Sequence, residues 1–351
     1  MSARSPEVLR AWAPYKISLS GEHAVGYGGS SVVAALDAGV DLRAEVSAGA
    51  AGSFRSGDAS CPWTSDEAER FAAEVDEEFE RLGPEAWRRW AGDFFAPFRY
   101  AVGAALRGNG LRPFAAVSST PIWTGCGLGT SSASAASLIR ICAGFSGQPL
   151  PAEELVARIR AVDRLRHGGI PSGVDGAVVV RGGALRFCRG SAVALPAPEL
   201  AVLLVHTGIE RSCGDVISWF ARTARRRLDR YVREMEEVTA RVAAALAARD
   251  VAALVEGIEE DRRILQRHGL GHPRADELAG VIIGRGAVAA KLTGAGAGGA
   301  LFGLFQNEVP RELIQELAAR GVPTRACRFG DRGVRLVPVD RGAAHGETAG
   351  G

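Results

Sequence analysis

The sequence predicts a two-domain α+β protein. Three observations carry that expectation. The chain has 351 residues, enough for two cores of ordinary size. It is 47% apolar and 23% charged, the balance of a globular protein. Its period-two strand patterns give way repeatedly to helical spacing, with glycine-rich turns between them.

In chain order, residues 8–50 read as strands joined by a tight glycine turn: VLRAWAP, KISLSGEHAVGYGG and the alternating VDLRAEVSA. The acidic stretch from Ser65 to Leu82 favours a helix, and RRWAGDFFAPFRYAVGAALRG predicts another, interrupted near Pro97. FAAVSST reads as a strand, and SASAASLIRICAGFSG as a helix with a glycine stop. AEELVARIRAVDRLRHG has helical apolar spacing, and GAVVVRGGALRF reads as a hairpin turning at Gly182-Gly183. The polar, proline-bearing CRGSAVALPAPEL places a domain boundary near residue 195, separating residues 1–194 from 195–340. The second half then reads as strand AVLLVHT, two long helices over 213–265, and a helix near 275–285. Strands AVAAKLT and ALFGLF, helix RELIQELAAR and a last strand complete an α+β sandwich. Residues 341–351 are small and polar and are expected to form a disordered tail.

A net charge of +2 proposes no polyanionic partner, so nucleic acid is not expected. The uncharged run from Pro113 to Ile139 is broken by prolines, glycines and hydroxyl residues and does not read as a membrane span. The N-terminus has no apolar segment followed by a small-residue cleavage site, so the protein is expected in the cytoplasm. Six cysteines without a CxxC pair argue against both zinc and a disulfide framework; they are expected to be reduced and mostly buried. Of 42 Lys and Arg residues only Lys16 and Lys291 are lysines, and both fall in glycine-rich motifs. A compact ammonium differs from a guanidinium in reach and in tunable pKa.

Four segments carry candidate chemistry. KISLSGEHAVGYGG gathers Lys16, Glu22 and His23 around a turn at Gly21. TGCGLGTSSASAAS sits between a strand and a helix, the context in which glycines and N-terminal amides cradle an anion; no lysine follows its last glycine, so it is not a Walker A loop. DRLRHGGIPSGVDG places Asp163 on a helix and Asp175 in a loop before an expected strand. KLTGAGAGGALFGLF contains G-x-G-x-x-G at Gly294, Gly296 and Gly299. A strand follows where a dinucleotide fold needs a helix, so a packing or backing role is expected. The arginine-rich ARTARRRLDRYVREMEE reads as a solvated helix face, and His268 and His272 are assigned no chemistry, because glycines separate them.

Together the four segments, from about residue 10 to 305, resemble the signature motifs of the GHMP kinases, and within that superfamily the mevalonate kinase branch. Galactokinases carry Thr-Asp-Tyr after Gly-Glu-His, where this chain has Ala24-Val25-Gly26. The resemblance implies an N-terminal domain like ribosomal S5 domain 2, with a left-handed βαβ crossover, and a C-terminal ferredoxin-like α/β sandwich. It implies that Asp175 accepts or positions the substrate hydroxyl proton with Lys16 beside it, and that Glu22 and His23 face the substrate. Gly127, Leu128, Gly129, Thr130, Ser131 and Ser132 would hold ATP, and Ser131 and Asp163 would hold Mg²⁺. Gly294, Gly296 and Gly298 would close the site from the second domain. Mevalonate kinases usually have glutamate at the position of Asp163, here one residue further from the aspartate loop. The implied activity is ATP-dependent phosphorylation of mevalonate in isoprenoid biosynthesis. Phosphomevalonate kinase, mevalonate 3-kinase, sugar kinase and a non-catalytic metabolite-binding regulator remain alternatives. The implied partners are ATP and a small molecule, and the resemblance admits a homodimer.

Overall fold

The computed structural model describes residues 7–107, 111–119 and 125–339; Thr124 and the expected tail lie outside the described residues. The N-terminal half is built on a long antiparallel pair, β1 (Val8–Ser20) and β2 (Ser30–Val46). Their register shifts between Pro14 and Lys16 and again between Ser18 and Ser20. Such irregularities re-aim side chains, and here they bracket Lys16. β3 (Ala51–Ser56) and β4 (Ala59–Thr64) form a hairpin, followed by α1 (Ser65–Leu82) and α2 (Ala96–Leu106). A capping box starts α1: Thr64 Oγ1 accepts from Glu67 N, and the Glu67 carboxylate accepts from Thr64 N. β5 (Phe114–Ser119) lies between β2 and β3, and α3 (Thr130–Ser146) packs its alanine-rich length on β1 and β2.

After α4 (Ala152–Asp163) comes a correction. The segment read as the first arm of a hairpin is a helix, α5 (Val174–Arg181), and Gly182-Gly183 ends it. Val174, Ala177 and Val178 bury against Val33, Ala35, Leu185 and Phe187, and that tertiary burial overrides the strand preference of a valine run. Gly173, with φ of 88°, turns the chain into it. The hairpin forms one element later, between β6 (Ala184–Cys188) and β7 (Ser191–Leu195), with β6 on β2.

The second half opens with β8 (Ala201–His206). Where two helices were expected there are three: α6 (Cys213–Thr223), α7 (Leu228–Ala248) and α8 (Val251–Arg267). Side chains of Ser212 and Asp250 cap the first and third. α9 (Pro273–Gly284), β9 (Ala289–Leu292), β10 (Ala300–Phe305), α10 (Arg311–Ala319) and β11 (Thr324–Arg328) follow. The second sheet is antiparallel, in the order β11-β8-β10-β9. The last strand, β12 (Arg335–Val337), returns to the first sheet and pairs with β1, so residues after Arg328 do not stay with the second sheet as the expected boundary required.

All six cysteines are free thiols, but only Cys126 and Cys142 are buried; the other four are half-buried, fewer in the core than expected. His272 caps α9 through Nδ1, and His268 Nε2 lies 3.5 Å from Glu234. Among the described residues no helix is long and apolar enough to cross a membrane.

Candidate active site

Lys16 is buried on β1, and its ammonium lies 3.0 Å from Asp175 Oδ1. It also donates to Ser18 Oγ at 3.3 Å, while its backbone N–H donates to the carbonyl of Leu128, tying the strand to the glycine loop. Asp175 sits in the first turn of α5, not in a loop before a strand, and a helix N-terminus favours a carboxylate there. Its second oxygen is 4.0 Å from His167 Nε2, so the carboxylate is flanked by cations on two sides. Burial opposes charge on His167, but Cys213, Asp163 and Asp175 outweigh it and lift the imidazole to about 10.

These groups line a cleft of about 910 Å³ between the two halves of the chain. The N-terminus of α3 opens onto it: Gly127, Gly129, Thr130, Ser131, Ser132 and Ser134 border the space. The amides of a helix's first turn have no intrahelical acceptor and suit an anion. Gly129, at φ of 68°, caps this helix, and a Cβ there would stand 2.8 Å from Lys16 Cγ. Leu128 turns its side chain into the core and serves the site through its carbonyl.

Asp163, at the end of α4, is fully buried, and its Oδ2 accepts from Ser132 Oγ at 2.7 Å. Burial raises its carboxyl to about 6, Asp175 adding to the rise, while His167, Ser132 and Lys16 oppose it. Its Oδ1 is buried with no hydrogen-bond partner, as is Thr130 Oγ1, and Ser131 borders the same space. A carboxylate with one unused oxygen beside hydroxyls and a helix end whose free amides suit an anion fits Mg²⁺, which takes one or two protein oxygens and completes its shell with phosphates and water. No group of three or more His, Cys, Asp or Glu side chains that could hold a metal occurs among the described residues.

Glu22 has a buried partner that the sequence did not indicate. It borders the cleft, and its carboxylate is held by Lys291 at 2.7 Å. Lys291, wholly buried on β9, also contacts Asp261 of α8 at 2.5 Å. Burial and Asp261 push the Glu22 carboxyl up to about 7, against the pull of Lys291. Asp261 in turn accepts from Gly21 N at 3.1 Å, and Tyr231 of α7 donates to the Glu22 carbonyl at 2.6 Å. The glycine turn of the first motif is thus anchored to the second half of the chain. His23, at φ of 57°, lies in the region non-glycine residues rarely adopt, a strain that the surrounding contacts maintain. Burial lowers its imidazole to about 4, so it is neutral and donates Nε2–H to the Ala295 carbonyl at 2.9 Å.

The third glycine loop divides. Gly294 and Ala295 border the cleft, whereas Gly296 packs against Leu270 and Gly298 against Ile209. A Cβ on Gly127 would meet the Thr293 carbonyl at 2.3 Å, so the second and third loops interlock with no room for a side chain. Thr293 Oγ1 accepts from Ser18 N at 2.9 Å. His167, Arg211, Cys213 and Asp261 were not singled out from the sequence. His167 stands within the aspartate motif and could have been found there; Asp261 lies in an ordinary charged helix and carried no signal.

The chain matches the GHMP kinases N terminal domain over residues 98–183 and the GHMP kinases C terminal domain over residues 242–322. It is 31% identical to a mevalonate kinase of Aeropyrum pernix over 337 residues, covering 93% of this chain and 98% of the relative. Its fold is similar to the mevalonate kinase of Methanococcus jannaschii, with a TM-score of 0.74 and 20% identity over 93% of this chain and 99% of the other. A Lactococcus lactis galactokinase complexed with galactose gives a TM-score of 0.72 at 16% identity, covering 94% and 95%.

Proposed function

Since the chain belongs to the GHMP kinase superfamily of ATP-dependent phosphotransferases, we propose that it transfers the γ-phosphoryl group of ATP to the primary alcohol of mevalonate. The observation that carries this reading is the 3.0 Å contact between Lys16 and Asp175 at the mouth of the glycine loop. Asp175 orients the acceptor hydroxyl and takes its proton as the oxygen attacks phosphorus, and ADP leaves with the electron pair of the broken P–O bond. The Lys16 ammonium, held between Asp175 and the loop that binds phosphate, favours the developing charge on the attacking and equatorial oxygens. Mg²⁺, when held by Asp163 and Ser131, supplies charge neutralisation at the nucleotide phosphates. Neutral His23 offers the acceptor a hydrogen-bonding ring whose tautomer is set by Ala295.

The mevalonate branch is preferred to the sugar kinases on the near full-length identity to mevalonate kinases. The product would be 5-phosphomevalonate, placing the enzyme in the mevalonate pathway of isoprenoid biosynthesis. ATP consumption with Mg²⁺, measured against mevalonate, phosphomevalonate, homoserine and hexoses, tests the assignment. Mevalonate should give the highest kcat/KM, and preference for any other acceptor would overturn it. Binding without turnover on every acceptor would favour the regulator.

A further inference from the structure

Asp175 has two oxygens, and two cations divide them. Lys16 stands 3.0 Å from Oδ1. The torsion that turns an aspartate carboxylate is broad, so a contact at one oxygen alone leaves the plane of the group free to swing. His167 faces the other oxygen, with Nε2 4.0 Å from Oδ2. That separation exceeds a hydrogen bond, so the ring does not occupy the oxygen that an acceptor hydroxyl needs. It acts through its charge and its bulk, at an exposure of 19%, where little of the charge is screened.

The ring is itself anchored. His167 N donates to the Asp163 carbonyl at 2.9 Å and Ile170 N to the His167 carbonyl at 3.2 Å, which closes the chain after α4 into a tight turn. A Cβ on Gly169 would meet the Pro84 carbonyl at 2.0 Å, and one on Gly214, in the first turn of α6, would meet the Arg166 carbonyl at 3.1 Å. Backbone thus packs on backbone on either side of the turn. Arg166 ties it further to the carbonyls of Ala91 and Asp93. From the second half of the chain Cys213, the first residue of α6, hydrogen-bonds the imidazole, and both side chains border the cleft. Charge gives the ring a second task. Asp175 opposes ionisation of the buried Asp163, and the imidazole interacts with both carboxylates. Two such groups share a proton unless a cation offsets their repulsion.

We infer that His167 is a positioning residue for phosphoryl transfer: anchored by Cys213, it fixes the plane of the Asp175 carboxylate so that Oδ2 meets the acceptor hydroxyl. This rests on the kinase reading above and deepens it, since it gives the second half of the chain a part in aiming the base. The test measures kcat, both KM values and Tm for wild type, His167→Gln, Cys213→Ala, Cys213→Ser, Asp175→Asn and the double variant His167→Gln/Asp175→Asn. The acceptor is whichever one wild type phosphorylates most efficiently. His167→Gln should lower kcat by about ten- to a hundredfold and leave both KM values within about twofold, because the ring acts through Asp175. Cys213→Ala should lower kcat by less, and Cys213→Ser, which can still hydrogen-bond the ring, should recover most of that loss. In the Asp175→Asn background, His167→Gln should change kcat by less than about twofold, as no carboxylate is left to aim.

Should His167→Gln fail to fold, Cys213→Ala with and without Asp175→Asn carries the same comparison. Losses that multiply in the double variant would overturn the inference, because His167 would then act independently of Asp175. An unchanged kcat for His167→Gln sinks it too, and so does a raised acceptor KM at unchanged kcat, which would put the ring in contact with the acceptor. All three outcomes leave the kinase reading standing. Near-normal turnover by Asp175→Asn would overturn both. Preference for an acceptor other than mevalonate, with the same loss confined to kcat, would sink the mevalonate assignment and support this one.

Discussion

Lys16 and Asp175 are 159 positions apart in the chain, yet ammonium nitrogen and carboxylate oxygen lie 3.0 Å apart. Both side chains are largely withdrawn from water, at 4% and 14% exposure, so the pair acts in a low dielectric and little of its charge is screened.

Asp175→Asn removes the proton acceptor while keeping a side chain of the same shape beside Lys16. It should lower kcat by about 10²–10⁴ and leave ATP affinity within about twofold, read by steady-state kinetics and by nucleotide titration. Near-normal turnover would show that the base lies elsewhere.

Gly129→Ala puts a methyl 2.8 Å from Lys16 Cγ at a backbone angle of 68°, which L-residues disfavour by about 1–2 kcal/mol. The ammonium must move, so kcat should fall by more than about tenfold while the folded state survives. Circular dichroism with kinetics checks both halves.

Asp163→Asn retains the hydrogen bond from Ser132 but removes the charge that suits a divalent cation. The Mg²⁺ concentration for half-maximal rate should rise by more than about tenfold. An unchanged Mg²⁺ dependence would remove Asp163 from the metal site.

The Lys291–Glu22–Asp261 cluster makes stability depend on pH. The Glu22 carboxyl is raised from 4.5 to about 7, so the native state holds a proton that the unfolded chain releases. That contribution is complete below about pH 4.5 and is lost as pH rises through 7. Glu22→Gln should therefore cost more stability at pH 5 than at pH 8, in urea unfolding read at both values. Lys291→Met, which strands two buried carboxylates, should destabilise by about 3–5 kcal/mol.

Much of the architecture was legible because local chemistry and tertiary context agreed. The acidic segment from Ser65 to Leu82 is a helix with the expected bounds, since its capping box and apolar face are written in adjacent residues. The valine run after Asp175 was misread because periodicity cannot distinguish a buried strand from a short buried helix. The return of β12 to the first sheet was invisible for a different reason, as no local signal tells a short strand which edge is open.

By itself, the sequence determined which residue types would meet: glycines that admit a close backbone approach, a hydroxyl-rich helix start, and two lysines retained among 40 arginines. Tertiary structure alone decided what those residues do. It gave one lysine to Asp175 in the cleft and the other to Glu22 and Asp261 in the interior, and it left Arg211 with two unused donors. The physical reason is that burial and partnership set the worth of a charge, and both depend on segments as far as 269 residues apart in the chain.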